Sequence, residues 1–455
     1  MPKCQLPVFA VALVFSGCTM MPKYERPPAP VAAEYPVVSQ TNESHAADIS
    51  WQDFLPEDRL KKLIGLALTN NLDFRVAMLN VEQSRAQYRI TRSASLPTMN
   101  GSGSFTRANA NDRTVNEWSA SLGTTAYEVD LFGRVRSLNR QALETYFATA
   151  EAQRSAQITL VAEVADEYFA LREAEEQLRL AQQTLAAVHE SYYLNQATFD
   201  AGASSELDLR TAESQVETAK INVLTYERQI VQVKNYLTLL IGEPLPSDLP
   251  APRPFNDTNL VAEIPAGLPS ELIQRRPDIL EAEHTLKAAN ANIGAARAAF
   301  FPTITLTGSI GTTSSEFDKL FRAGTGVWSF SPQVTLPIFT SGQNLANLDA
   351  AKVSTRIEVA NYQKATQTAF REVADALVAS CSYAEEIKEQ AALINSQQRR
   401  YDLANLRYRQ GDDTYLNVLS AQQDLYSAQQ GQIEAQYNKL ASQISLYKAL
   451  GGGWK

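Results

Sequence analysis

Cysteine is scarce: three residues in 455, at Cys4, Cys18 and Cys381, too few and too scattered for a disulfide framework. Histidine is equally scarce, and His45, His189 and His284 stand far apart. The patterns HEXXH and GXSXG are absent, and the "GSGS" at Gly101 lies within a strand pattern. Nothing supplies a nucleophile–base pair or a set of metal ligands, so neither an enzyme nor a metal site is expected. Beyond the N-terminus, no apolar run approaches the roughly 20 residues that a membrane-crossing helix needs. Blocks of positive charge are missing too. The formal net charge is −9 with the signs interspersed, which argues against nucleic acid as a partner and reads as a solvated acidic surface.

What is present begins at the N-terminus. "MPKCQLPVFAVALVFSGC" has one Lys, a short apolar stretch from Leu6 to Phe15, then small residues before Cys18. That is the layout of a secretory signal, here residues 1–17. "FSGC" resembles a bacterial lipobox, with Phe15 where Leu is usual, and makes Cys18 the expected lipidation site. Thr19, rather than Asp, follows the cysteine, and among bacterial lipoproteins that implies sorting to the outer membrane. Acyl chains anchor by burying CH2 groups at about 0.8 kcal/mol each, and stable anchoring takes more than one chain. Cys4 would leave with the signal and Cys18 would carry lipid, so Cys381 would stand alone. Residues 18–56, rich in proline from Tyr24 onward, read as an extended segment behind the anchor.

Glycine and proline are missing where it matters most. Neither occurs from Arg134 to Ala201 or from Gln343 to Gln410, so each stretch predicts one helix of about 100 Å at 1.5 Å per residue. Val164, Leu171, Leu178, Leu185, Tyr192 and Phe199 recur at heptad spacing. Val373, Ser380, Ile387, Ile394, Tyr401 and Tyr408 do the same with one polar exception. A 3.5-residue period makes a narrow coiled-coil seam rather than a broad globular stripe.

The two stretches are copies. Pro97, Gly103 and Ser104 recur as Pro302, Gly308 and Ser309; Gly133 recurs as Gly342, "EVAD" at Glu163 as "EVAD" at Glu372, and Gly202 as Gly411. The register then holds through Leu207 and Leu416 to Gly242 and Gly451. Repeat 1 spans 57–242, repeat 2 spans 269–451, and a proline-rich linker covers 243–268. Each repeat predicts a first helix (57–95 and 269–299), two strands (within 98–131 and 303–339), and a long helical hairpin (134–241 and 343–450). "TITLTGSIG" from Thr303 alternates strictly, with Ile304, Leu306 and Ile310 against Thr303, Thr305, Thr307 and Ser309. Trp328, Phe330, Val334, Leu336 and Ile338 oppose Ser329, Ser331, Gln333 and Thr335. Trp118 to Leu131 alternates poorly. An apolar face against a small polar one, over about ten residues, suits a transmembrane barrel strand. A soluble sandwich with one wet face shares that pattern, but not the signal, the anchor and the long helices. Four strands cannot close a barrel, and an open edge is not tolerated in lipid. Two copies would give eight strands and an interior filled by side chains. Three give twelve strands and a lumen that holds water. The fold class expected is therefore α+β: a homotrimeric twelve-stranded barrel continued by a long helical coiled-coil barrel.

The chain resembles the TolC/OprM family of outer-membrane efflux channels, most closely its lipoprotein branch. The resemblance is carried by "PKYERPPAPV" at Pro22, "YEVDLFGRVR" at Tyr127, "RRPDILEAE" at Arg275, "AAFFPTITLTGS" at Ala298, "ANLRYRQG" at Ala404 and "SLYKALGGGW" at Ser445. It implies a homotrimer in outer-membrane lipid that reaches into the periplasm of a Gram-negative bacterium. There it would dock a periplasmic adaptor and an inner-membrane RND transporter, and pass drugs or other toxic compounds outward without catalysis or a cofactor. It places Leu416, Ser420 and Gln423 at a periplasmic constriction and pairs Asp208 with Tyr408 as a lock between hairpins. Family members often carry Asp at the positions of Ser420 and Asn417, so the acidic rings here would fall to Asp412, Asp413 and Asp424. For Asp412 and Asp413 helix capping is the competing role. A type I protein-secretion channel shares the architecture, and an adhesive coiled-coil surface protein is the reading outside transport. The substrate class is not legible, because the transporter selects it.

Overall fold

In the computed structural model the described residues are 19–32, 49–110, 113–255, 261 and 275–454. Cys18 and the signal lie outside them, as does part of the linker. The elements in chain order are α1 (Trp51–Phe54), α2 (Asp58–Asn70), α3 (Leu72–Ser93), β1 (Asn100–Ala110), β2 (Arg113–Val129), α4 (Arg134–Asp200) and α5 (Glu206–Ile241). The second repeat supplies α6 (Pro277–Ala298), β3 (Thr303–Ser314), β4 (Gly326–Thr335), α7 (Gln343–Gln410) and α8 (Tyr415–Ala449). The two breaker-free stretches form α4 and α7, of 67 and 68 residues. By contact the chain divides into two compact units, and both draw on both repeats. One takes Asn80–Ala150, Glu281–Gln363 and the chain before Ala29; the other takes Ala29–Leu79, Glu151–Leu280 and Lys364–Lys455.

Several boundaries differ from the sequence expectation. The first helix of repeat 1 is not continuous, because Asn71 adopts extended backbone between α2 and α3. Its Oδ1 accepts from Phe74 N at 2.8 Å, capping α3, while its Nδ2 donates to Leu240 O at 2.9 Å. The short polar side chain thus offers the backbone a better partner than helix continuation. Within the stretch read as extended, Ser50 caps the four-residue α1. The helix α6 starts at Pro277, in the position where a missing N–H costs nothing, and residues 269–274 lie outside the described set. The strand β4 stops at Thr335, opposite Thr303, where its partner β3 begins. The strand β2 is longer than expected and starts at Arg113.

The repeat extends to single hydrogen bonds. Arg276, in repeat 2, occupies the place of Asn71 and donates from Nη1 to Ala449 O at 2.8 Å. Leu240 and Ala449, the two acceptors, are themselves repeat counterparts. Arg276 also pairs with Asp278 and Glu372. Around these ends sits an apolar core: Trp51, Phe54, Leu60 and Ile64 pack with Val164, Tyr168, Phe169, Leu237, Ile241 and Tyr447. Phe54 and Tyr447 stack at 4.0 Å. Buried Tyr168 donates to Glu57 at 2.6 Å, and desolvation raises the pKa of its phenol above the usual range.

The sheet is antiparallel in the order β1-β2-β3-β4. Its register puts Phe105 beside Trp118, Leu122 beside Ile310 and Ile310 beside Trp328 on one face. Trp118 is partly covered, and the others are exposed, Trp328 to 78% and Ile310 to 68%. The other face carries paired hydroxyls: Ser102 with Ser121 at 2.9 Å, Ser104 with Ser119 at 2.8 Å, and Ser309 with Ser329 at 2.8 Å. Gly123 and Gly311 share that face. A Cβ on Gly123 would lie 2.5 Å from Gly308 O, and one on Gly311 would lie 2.3 Å from Ala120 O. A bulge between Thr124 and Tyr127 disturbs the alternation of β2. In the same unit, Glu283 of α6 holds the N-terminal segment. It is 3% exposed and accepts from Tyr24 at 3.1 Å and Arg26 at 2.7 Å, with Lys287 at 3.0 Å.

Candidate functional site at the helical turns

Both hairpin turns are built alike. Gly202 and Gly411 have φ of +72° and +80°, the left-handed conformation that glycine enters without cost. Ala203 N donates to Thr198 O and Gly202 N to Phe199 O; Asp412 N donates to Arg407 O and Gly411 N to Tyr408 O. This paired pattern satisfies the last carbonyls of α4 and α7. After the first turn, Ser205 and Asp208 form a capping box on α5. After the second turn Asn417 stands in the place of Asp208, and the box is replaced. Asp413 Oδ1 accepts from Thr414 N at 2.8 Å and from Asn417 Nδ2 at 2.6 Å, and Arg407 Nε lies 3.7 Å from Oδ2. The Asn417 bond leads in holding the Asp413 carboxyl below its usual pKa. Asp412 is exposed at the turn itself.

The expected lock residues are engaged separately within one chain. Asp208 accepts from Ser205 Oγ at 2.7 Å, whereas Tyr408 donates its hydroxyl to Asn195 Oδ1 at 3.3 Å. Asn195 is 1% exposed, and its Nδ2 donates to Ser191 O at 2.8 Å. Burial raises the pKa of Tyr408, and the charge of Asp208 raises it further, so the carboxylate is close enough to be felt. A cavity of about 100 Å³ lies beside these groups, lined by Ser191, Asn195, Tyr401, Tyr408 and Tyr415.

The helix α8 divides its faces sharply. Tyr415, Val418 and Leu419 are buried with Ala212 of α5. Leu416, 66% exposed, shares the other face with Gln423, and Ser420 is partly exposed there. Asp424 is not bare. Arg400 of α7 pairs with it and donates from Nη2 to Ser420 Oγ at 3.2 Å. Sequence reading missed Arg400 and Asn195. A signal existed for the first, because Arg400 and Asp424 lie equally far on either side of the Gly411–Asp413 turn, and a hairpin brings such positions together. Asn195 gave none, being one polar residue in an amphipathic helix. Among the described residues no group of His, Cys, Asp and Glu could hold a metal ion, and no helix is long and apolar enough to cross a membrane.

The outer membrane efflux protein family model matches residues 63–243 and again 268–452. The chain is 45% identical to the toluene efflux pump outer membrane protein TtgC of Pseudomonas putida, over 100% of this chain and 96% of that protein. It is 40% identical to the cation efflux system protein CusC of Escherichia coli, over 100% of both. The solved open state of the Neisseria gonorrhoeae MtrE outer membrane channel superposes with a TM-score of 0.90 at 41% identity. That match covers 96% of this chain and 99% of MtrE.

Proposed function

Because this chain belongs to the outer membrane efflux protein family and is an outer-membrane channel of an efflux pump, we propose that three copies of it form one pore. The sheet carries the proposal. Among the described residues, β1 and β4 each pair on one side only, while the strand face bearing Trp328, Phe330 and Val334 is exposed. Unpaired edges in lipid cost several kcal/mol per group, and closing β4 of one copy onto β1 of the next removes them. The hydroxyl face then lines water and the aromatic face meets lipid. Cys18 carries the lipid anchor.

The turns after α4 and α7 form the periplasmic gate. Leu416, Ser420 and Gln423 set the constriction, Asp412, Asp413 and Asp424 are the acidic groups presented there, and Asp208 with Tyr408 latches the closed state. Opening is a two-state movement of the hairpins, biased by a periplasmic adaptor and an inner-membrane RND transporter. The cargo is drugs or other toxic compounds. One relative is named for toluene and another for cations, so the conduit is permissive and the transporter selects. Native mass spectrometry of the mature protein in mild detergent should give three chains per particle, and the particle should conduct ions across a planar bilayer. A stable monomer that leaves bilayers impermeable overturns this reading.

A further inference from the structure

We infer that Arg400 sets the ionic selectivity of the constriction by neutralising the carboxylate ring at Asp424. The inference rests on the gate proposed above, in which the α8 face bearing Leu416, Ser420 and Gln423 lines the narrowest level. Asp424 stands one helical turn beyond Ser420, close to that face. Arg400 reaches across from α7 and holds both: its guanidinium pairs with Asp424, and its Nη2 donates to Ser420 Oγ at 3.2 Å. The two charged side chains are 49% and 47% exposed, so the pair sits at a wetted surface and not in the helix seam. The seam below is filled instead by Tyr415, Val418 and Leu419.

The same compensation recurs nearer the turn. Arg407 Nε lies 3.7 Å from Asp413 Oδ2. Asp413 and Asp424 are thus each met by a base of the same hairpin, and a threefold pore presents each pair three times. Bare carboxylates in a narrow ring focus the field and draw cations. With guanidinium groups on them the Asp424 layer adds no net charge, and it favours neither sign of ion. Ser420 takes part in this arrangement. Its hydroxyl accepts from Arg400, which fixes the guanidinium over Asp424, and it adds no second acid to the layer. Asp412, exposed at the turn, lies outside both pairs.

The test is the reversal potential of the purified trimer in a planar bilayer under a potassium chloride gradient. R400Q should raise the potassium-to-chloride permeability ratio roughly threefold or more, because three carboxylates become uncompensated. D424N, which frees the guanidinium, should shift the ratio the opposite way, so the inference stays testable even where R400Q fails to assemble. The double variant R400Q/D424N should return to the wild-type ratio, and R400K should stay near it. Conducting channels whose selectivity ignores R400Q and D424N alike overturn the inference and leave the channel reading intact. A wild-type trimer that conducts nothing overturns the channel reading and this inference with it.

Discussion

Tyr408 has one hydroxyl hydrogen to donate, and that constraint organises the residue scale of the proposed gate. Within the chain it goes to Asn195, while Asp208 is occupied by Ser205. A hydrogen bond contributes about 1 kcal/mol net, enough to shift a two-state population roughly fivefold. Tyr408→Phe keeps the ring packing against Tyr415, centroid distance 5.4 Å, and deletes only the donor. Its conductance in a planar bilayer should rise several-fold over wild type. Asp208→Asn keeps a capping side chain and removes the charge, and it should also raise conductance. Unchanged currents in both variants would count against the latch. At this scale the sequence was partly legible: the family resemblance pointed to the two latch residues, but not to the partners they have within the chain. A buried amide such as Asn195 shows its role only once the helix facing it is placed.

At the scale of elements, the long helices were legible because one local rule governs them: the absence of Gly and Pro lets hydrogen bonds propagate. Strand β2 was not. Its alternation is broken by the bulge between Thr124 and Tyr127, where Ala126 has a φ of 52° and donates its N–H to Thr307 Oγ1 at 3.0 Å. Gly123 breaks the pattern as well, and the reason is non-local. The neighbouring strand comes too close on the hydroxyl face for any side chain. Gly123→Val or Gly311→Val should therefore abolish the assembled oligomer, read as loss of the trimer band on semi-native gels. Gly103→Ala, where a Cβ would lie 3.8 Å from the nearest atom, should leave that band in place. Assembly that tolerates either valine would refute the close approach.

At the scale of the whole molecule, the duplication was the most legible feature, because it compares the sequence with itself and requires no physics of folding. What it did not disclose is that the compact units cut across the repeats, each taking matching pieces of both. Contact depends on three-dimensional neighbours, and a 67-residue helix such as α4 passes from one unit into the other. The anchor proposed for Cys18 also belongs here. Intact mass spectrometry of membrane-extracted protein should give a chain that starts at Cys18 and is heavier than its polypeptide by a diacylglyceryl group. A mass equal to the bare chain would remove the anchor and leave the pore proposal standing.

The serine pairs across the sheet have a bearing on transit. Each pair spends one of its two hydroxyl hydrogens on the neighbouring strand, so a molecule drifting past meets a wall with fewer donors free to grip it. Such a surface holds uncharged solutes less firmly than unpaired hydroxyls would, and that suits the passive conduit proposed above.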